Sequence, residues 1–69
     1  MILSAEKLKS QWEKDPSRMA LQLAETLQEF GYPVNAIYVK NTLTKIYKGE
    51  SVTGGPAMFL RGWVKDGIE

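Results

Sequence analysis

Glu25 and Glu29 stand four residues apart in "LAETLQEF", a spacing that brings two carboxylates onto one face of a helix. Such a pair can hold a hard cation or share acid–base work. Its neighbours, however, are Gln22 and Gln28, and no carboxylate of the chain sits in an apolar run that would displace its pKa. The commoner role of such a pair is a solvated acidic face. The chain has no histidine and no cysteine, so thiol chemistry and the usual zinc ligands are both missing. The expectation is a protein that is not an enzyme and uses no metal or cofactor.

A second place where chemistry can arise is "VTGGPAMFLR". Gly54 and Gly55 precede a helix-start signal at Pro56, and free backbone N–H groups there can cradle an anion. The Lys-Ser/Thr ending of a phosphate loop is absent, so an ordinary turn and cap is the simpler assignment.

The third is "AIYVKNTLTKIYKGE", residues 36–50. Ala36, Val39, Leu43 and Ile46 recur at helical spacing and form one apolar stripe. Tyr38, Asn41, Lys45 and Lys48 then fall on the opposite side, with Lys40 and Thr44 flanking, and no acid interrupts them. Lysines position phosphates, an Asn amide can pair with adenine, and hydroxyls of Tyr and Thr reach either. Arg61 adds a cation from the last element. A solvated helix surface carries the same residues almost as often. So few cations give a shallow salt dependence, about −0.9 in slope per phosphate neutralised, so a homodimer is what DNA binding would require.

The elements that position these residues are marked by caps. Ser4 reads as an N-cap, with Leu3 and Leu8 placed for a hydrophobic staple and Ala5, Leu8 and Trp12 on one face up to about Lys14. In "DPSRMALQLAETLQEFGYP", Asp15 caps, Pro16 suits the first helical position, and Met19, Leu23, Leu27 and Phe30 make a stripe that Leu21 and Ala24 widen. Gly31 and Pro33 end it. Asn35 caps the third helix and Gly49 stops it. Residues 51–64 admit two readings. Gly55-Pro56 opens a helix with Ala57, Leu60 and Val64 inward, closed by Gly67 with Ile68 folding back, and this is preferred for its start and stop signals. Alternation in "MFLRGWV" instead suits a short hairpin, which would put Phe59, Arg61 and Trp63 on a common face.

A capped helix, a short turn and a second helix with a basic outer face resemble a helix-turn-helix over residues 19–50. The tight form prefers Ala where Leu27 stands, and the link from Gly31 to Ala36 is loose, departures that a winged helix tolerates better. The fold expected is a small all-α domain of three to four helices spanning residues 1–69, with a winged helix bearing a short C-terminal hairpin as the alternative.

Composition fits one small globular domain: 69 residues, 43% hydrophobic and 25% charged, net charge +1. Residues 1–30 carry four basic and five acidic side chains, whereas residues 31–65 carry five basic ones against Glu50 alone. No apolar run approaches the roughly 20 residues of a membrane span, and Met1-Ile2-Leu3 leads into a capped helix rather than a signal peptide. A cytoplasmic location is expected. At this size little core is available, which makes self-association a natural supplement. Two Trp, three Tyr, two Phe and three Met are more large anchors than such a domain buries completely. A protein-interaction adaptor using Phe59, Arg61 and Trp63 is therefore the alternative to DNA binding through residues 36–48.

Overall fold

The computed structural model describes residues 3–68; Met1 and Ile2, part of the expected lead-in to the first helix, and Glu69 lie outside the described residues. Four helices follow one another: α1 (Ala5–Lys14), α2 (Pro16–Glu29), α3 (Ala36–Tyr47) and α4 (Gly55–Asp66). The all-α expectation holds, in its four-helix form.

Side chains cap the first turns of α1, α2 and α3, and α4 opens without one on Gly54 and Pro56. Ser4 Oγ accepts from Lys7 N at 3.2 Å, Asp15 Oδ1 from Arg18 N at 3.2 Å, and Asn35 Oδ1 from Tyr38 N at 2.8 Å. Asp15 also ends α1, its own N–H donating to the Gln11 carbonyl at 2.8 Å. One residue therefore closes one helix and opens the next. Both α2 and α3 end in Schellman motifs. Gly31 (φ 94°) donates to the Gln28 carbonyl while Tyr32 donates to Leu27, and Gly49 (φ 83°) donates to Ile46 while Glu50 donates to Lys45.

The helices form a closed ring in which α2 packs on α1 and α3, and α4 packs on α1 and α3. Leu8, Met19, Leu23, Leu27, Val39, Leu43 and Leu60 fill the centre, with Ala20 and Ala24 letting α2 approach its neighbours. Thr42, buried on α3, donates its hydroxyl to the Tyr38 carbonyl at 2.8 Å, so its burial leaves no polar group stranded. The ends of the chain are joined by an antiparallel bridge in which Leu3 N donates to Ile68 O at 2.8 Å and Ile68 N to Leu3 O at 2.7 Å. Gly67 folds Ile68 back as the sequence indicates.

Several expectations change. Residues 55–66 are helical, so the hairpin, and with it the winged-helix alternative, is absent; the Leu3–Ile68 bridge is the sole β pairing among the described residues. Leu21 does not widen the buried stripe: it lies two residues from Leu23, roughly 160° away at about 100° per residue, and is 51% exposed. Ala20 and Ala24 take that role. Trp12 stacks on Tyr47 with centroids 5.3 Å apart, and Trp63 joins a different aromatic group.

The α2–α3 pair is joined by six residues, 30–35, against the three or four (about) of a tight helix-turn-helix. Gln28 Nε2 donates to the Val34 carbonyl at 2.7 Å, and Lys40 Nζ reaches Ser17 Oγ at 3.1 Å. The chain thus returns along α2 from its C-terminal toward its N-terminal end.

Candidate functional site

Two exposed faces carry the residues that the sequence singles out. On α3 the apolar stripe points inward, with Val39 and Leu43 buried and Ala36 and Ile46 half-buried. Tyr38, Asn41, Lys45 and Lys48 are exposed on the outward side as the periodicity requires. Thr44 is half-buried, and its hydroxyl donates to the Lys40 carbonyl at 2.8 Å. Lys40 lies on the flank, its ammonium in contact with Ser17 on α2. Ile37, which sequence reasoning passed over, heads this face and is 72% exposed. An apolar side chain that prominent is foreign to a purely phosphate-contacting surface. Its position was readable from the spacing, since four residues separate it from Asn41.

The second face is aromatic. Phe59 and Trp63 occupy successive turns of α4 with ring centroids 5.9 Å apart. Phe30, the C-cap of α2, stacks on Phe59 at 5.6 Å with planes 12° apart and meets Trp63 at 6.2 Å. Tyr32 places its ring edge-on to Phe59 at 5.6 Å. Offset and edge-on arrangements of this kind satisfy the ring quadrupoles and fix the rings relative to one another. Nevertheless Phe30 is 60% exposed and Phe59 is 41% exposed. Sequence reasoning assigned Phe30 to the buried stripe. The periodicity was right, but α2 stops at Glu29 and the ring projects past the helix end, where no other helix covers it.

Arg61 does not join this group. On a helix it lies about 160° from both Phe59 and Trp63, at roughly 100° per residue, so the common face expected from strand alternation is lost.

Two shallow grooves adjoin the rings. One, beside Phe59 and Trp63, is lined also by Met58, Gly62, Asp66 and Gly67. The other lies between α1 and α2 with Leu3, Met19, Leu23 and Ile68 in its apolar floor, and with Glu25, Glu29 and Phe30 at its edge. The charged side chains lining the two grooves are Glu25, Glu29 and Asp66, all of them carboxylates. The aromatic surface is therefore rimmed by negative charge, while the outward face of α3 is positive.

A third groove, between α1, α3 and α4, contains Trp12, Tyr47, Glu13 and Lys9. Tyr47 Oη is buried and has no hydrogen-bond partner among the described residues. Burial, and secondarily the Glu13 carboxylate, push its hydroxyl pKa up from the ordinary value. Among the described residues, no group of three or more His, Cys, Asp or Glu side chains could hold a metal ion, and no helix is long and apolar enough to cross a membrane.

Fold and surfaces together define a small four-helix domain with one aromatic, acid-rimmed face and one basic face. No family model, curated protein or solved structure matches the chain.

Proposed function

We propose that this chain is a non-enzymatic protein-interaction module whose docking surface is the aromatic group of Phe30, Phe59 and Trp63, with Met58 beside it. The observation that supports this reading is that three rings from two helices hold each other in contact while Phe30 stays mostly exposed and Phe59 partly so. Aromatic side chains fixed in advance lose little conformational freedom on binding, and aromatic and Met side chains are enriched at interfaces. The adaptor set of Phe59 and Trp63 is kept and Phe30 replaces Arg61 in it. A photo-reactive side chain at Met58 tests the reading. It is expected to cross-link a defined protein in wild-type background and to lose that product when Phe30→Ser and Phe59→Ser are combined. A cross-link indifferent to both substitutions would remove the aromatic surface from the proposal.

DNA binding through α3 is the second reading, favoured by the acid-free outward row of Tyr38, Asn41, Lys45 and Lys48. In it Lys40, Lys45 and Lys48 hold phosphates, Asn41 and Tyr38 approach bases, Thr44 flanks them, and Arg61 contributes from α4. Against it stand the exposed Ile37 and the contact of Lys40 with Ser17. Amide NMR titration with mixed-sequence duplex DNA distinguishes the two. Salt-sensitive shifts confined to residues 36–48, lost in Lys45→Glu/Lys48→Glu with unchanged helical circular dichroism, would support it; an unchanged spectrum at low salt would exclude it.

A further inference from the structure

We infer that the occupant of the aromatic surface is the outward face of α3 from a second copy of this chain, a head-to-tail contact that deepens the interaction-module reading and rests on it. The two faces share no residue and stand on different helices. The acceptor face offers Phe30, Phe59 and Trp63 with Glu29 and Asp66 at its margins. The donor face offers Ile37 and Tyr38 as exposed apolar anchors and Lys45 and Lys48 farther along the same side. From Ile37 to Lys48 this face runs about 16 Å at 1.5 Å rise per residue, long enough to lay anchors on the rings and ammonium groups near the carboxylates.

Charge is what selects this occupant. Every charged side chain lining the two grooves is acidic, so the fitting partner is apolar and cationic together, and exposed ring faces add attraction for a cation. The α3 face has that chemistry, and each molecule carries it. A 69-residue domain also buries a modest share of its surface, so removing exposed rings and Ile37 from water is a gain it cannot make alone. Because the two faces differ, the contact is heterologous: each added copy leaves one acceptor and one donor face open, and assemblies grow beyond dimers unless they close into a ring.

The test is sedimentation velocity of the whole chain from about 10 µM to about 1 mM, the range in which small transient interfaces associate, at low and high salt. The expected result is an average mass that rises with concentration at low salt and falls back severalfold toward the monomer at high salt. Two charge-reversed variants carry the decisive arm: Lys45→Glu/Lys48→Glu on the donor face and Glu29→Lys/Asp66→Lys on the acceptor face. Each should be monomeric alone, and the two mixed should co-assemble in one-to-one alternation, because both faces of one variant are then negative and both faces of the other positive. Both variants alter exposed side chains and leave the rings in place, and circular dichroism confirms their folding. A wild-type chain that stays monomeric throughout would overturn this inference alone, leaving the module reading to the Met58 cross-link. Association that survives both Phe59→Ser and Glu29→Lys/Asp66→Lys would place the self-contact elsewhere and overturn this inference, while the Met58 cross-link decides the module reading separately. Mixed assemblies no more abundant than either variant's own would also overturn it.

Discussion

Phe30 and Phe59 stack with centroids 5.6 Å apart, although one ends α2 and the other sits in the second turn of α4. The two helices are not main packing partners, since α2 leans on α1 and α3 and α4 leans on the same pair. The stacked pair therefore links two helices that are not main neighbours in the ring. A bridge of exposed rings adds little to stability in comparison with a core contact, but it fixes the shape of the surface.

A double-mutant cycle should separate these roles. Phe30→Ala alone should lower unfolding free energy by about 1 kcal/mol or less, because the ring is mostly in water. The coupling between Phe30→Ala and Phe59→Ala should be about 0.5–1.5 kcal/mol, the range for aromatic pairs beyond their buried area. Urea unfolding followed by circular dichroism measures both. A coupling near zero would mean that the rings do not constrain one another in solution.

Gly67 is held by two independent constraints. Its φ of 87° suits glycine, and a Cβ there would come within 2.5 Å of the Leu3 carbonyl oxygen, which is backbone in the bridge to Ile68. Gly31, at φ 94°, has open space around the same position. Gly31→Ala should therefore cost only the left-handed backbone penalty, about 1–2 kcal/mol. Gly67→Ala should cost more and should raise amide exchange at Leu3 and Ile68, whose mutual hydrogen bonds must part. Equal losses for the two substitutions would show that the bridge contributes nothing.

These contrasts explain which parts of the fold were legible in the sequence. Ser4, Asp15-Pro16, Asn35, Gly31, Gly49 and Gly67 act on neighbours within a few residues, so helix boundaries could be read directly from their order. The inward stripe of α3 was equally local. Phe30 and Leu21 were misassigned because burial depends on which helix covers which flank, and periodicity alone gives the direction of a side chain without its cover. Arg61 was misplaced for a different reason: strand and helix readings of residues 58–64 give opposite partners to Phe59, and only the helix is realised. The aromatic group of the candidate site thus needed the packing of α2 against its neighbours, whereas the basic row on α3 did not.

Asp15 links two helices through one residue. Asp15→Ala removes the acceptor for Arg18 N and should cost about 1 kcal/mol, while Asp15→Asn, which can still accept, should cost less. Because the backbone N–H of Asp15 closes α1 whatever the side chain, the loss should appear as fraying at the start of α2 alone. Amide exchange at Ser17 and Arg18 measures this; increased exchange throughout α1 would count against separate roles for the side chain and the backbone.

Tyr47 gives a prediction with a definite sign. Its hydroxyl is buried without a partner among the described residues, while its ring stacks on Trp12. Tyr47→Phe keeps the stack and removes the stranded group, whose burial costs about 1–3 kcal/mol when unsatisfied, so the variant should be as stable as wild type or more so at neutral pH. The pH dependence follows from the raised pKa. The folded state holds this proton more tightly than the unfolded chain, whose value is about 10.0, because burial and then Glu13 disfavour the phenolate. The stability tied to the neutral hydroxyl is present in full below the unfolded value and is lost as pH rises from there through the folded one. Wild type should therefore lose stability above about pH 10 more steeply than Tyr47→Phe, with lysine titration common to both and cancelling in the difference. Urea midpoints for the two proteins across that window decide it, and parallel curves would mean that the Tyr47 hydroxyl is hydrated in the folded protein.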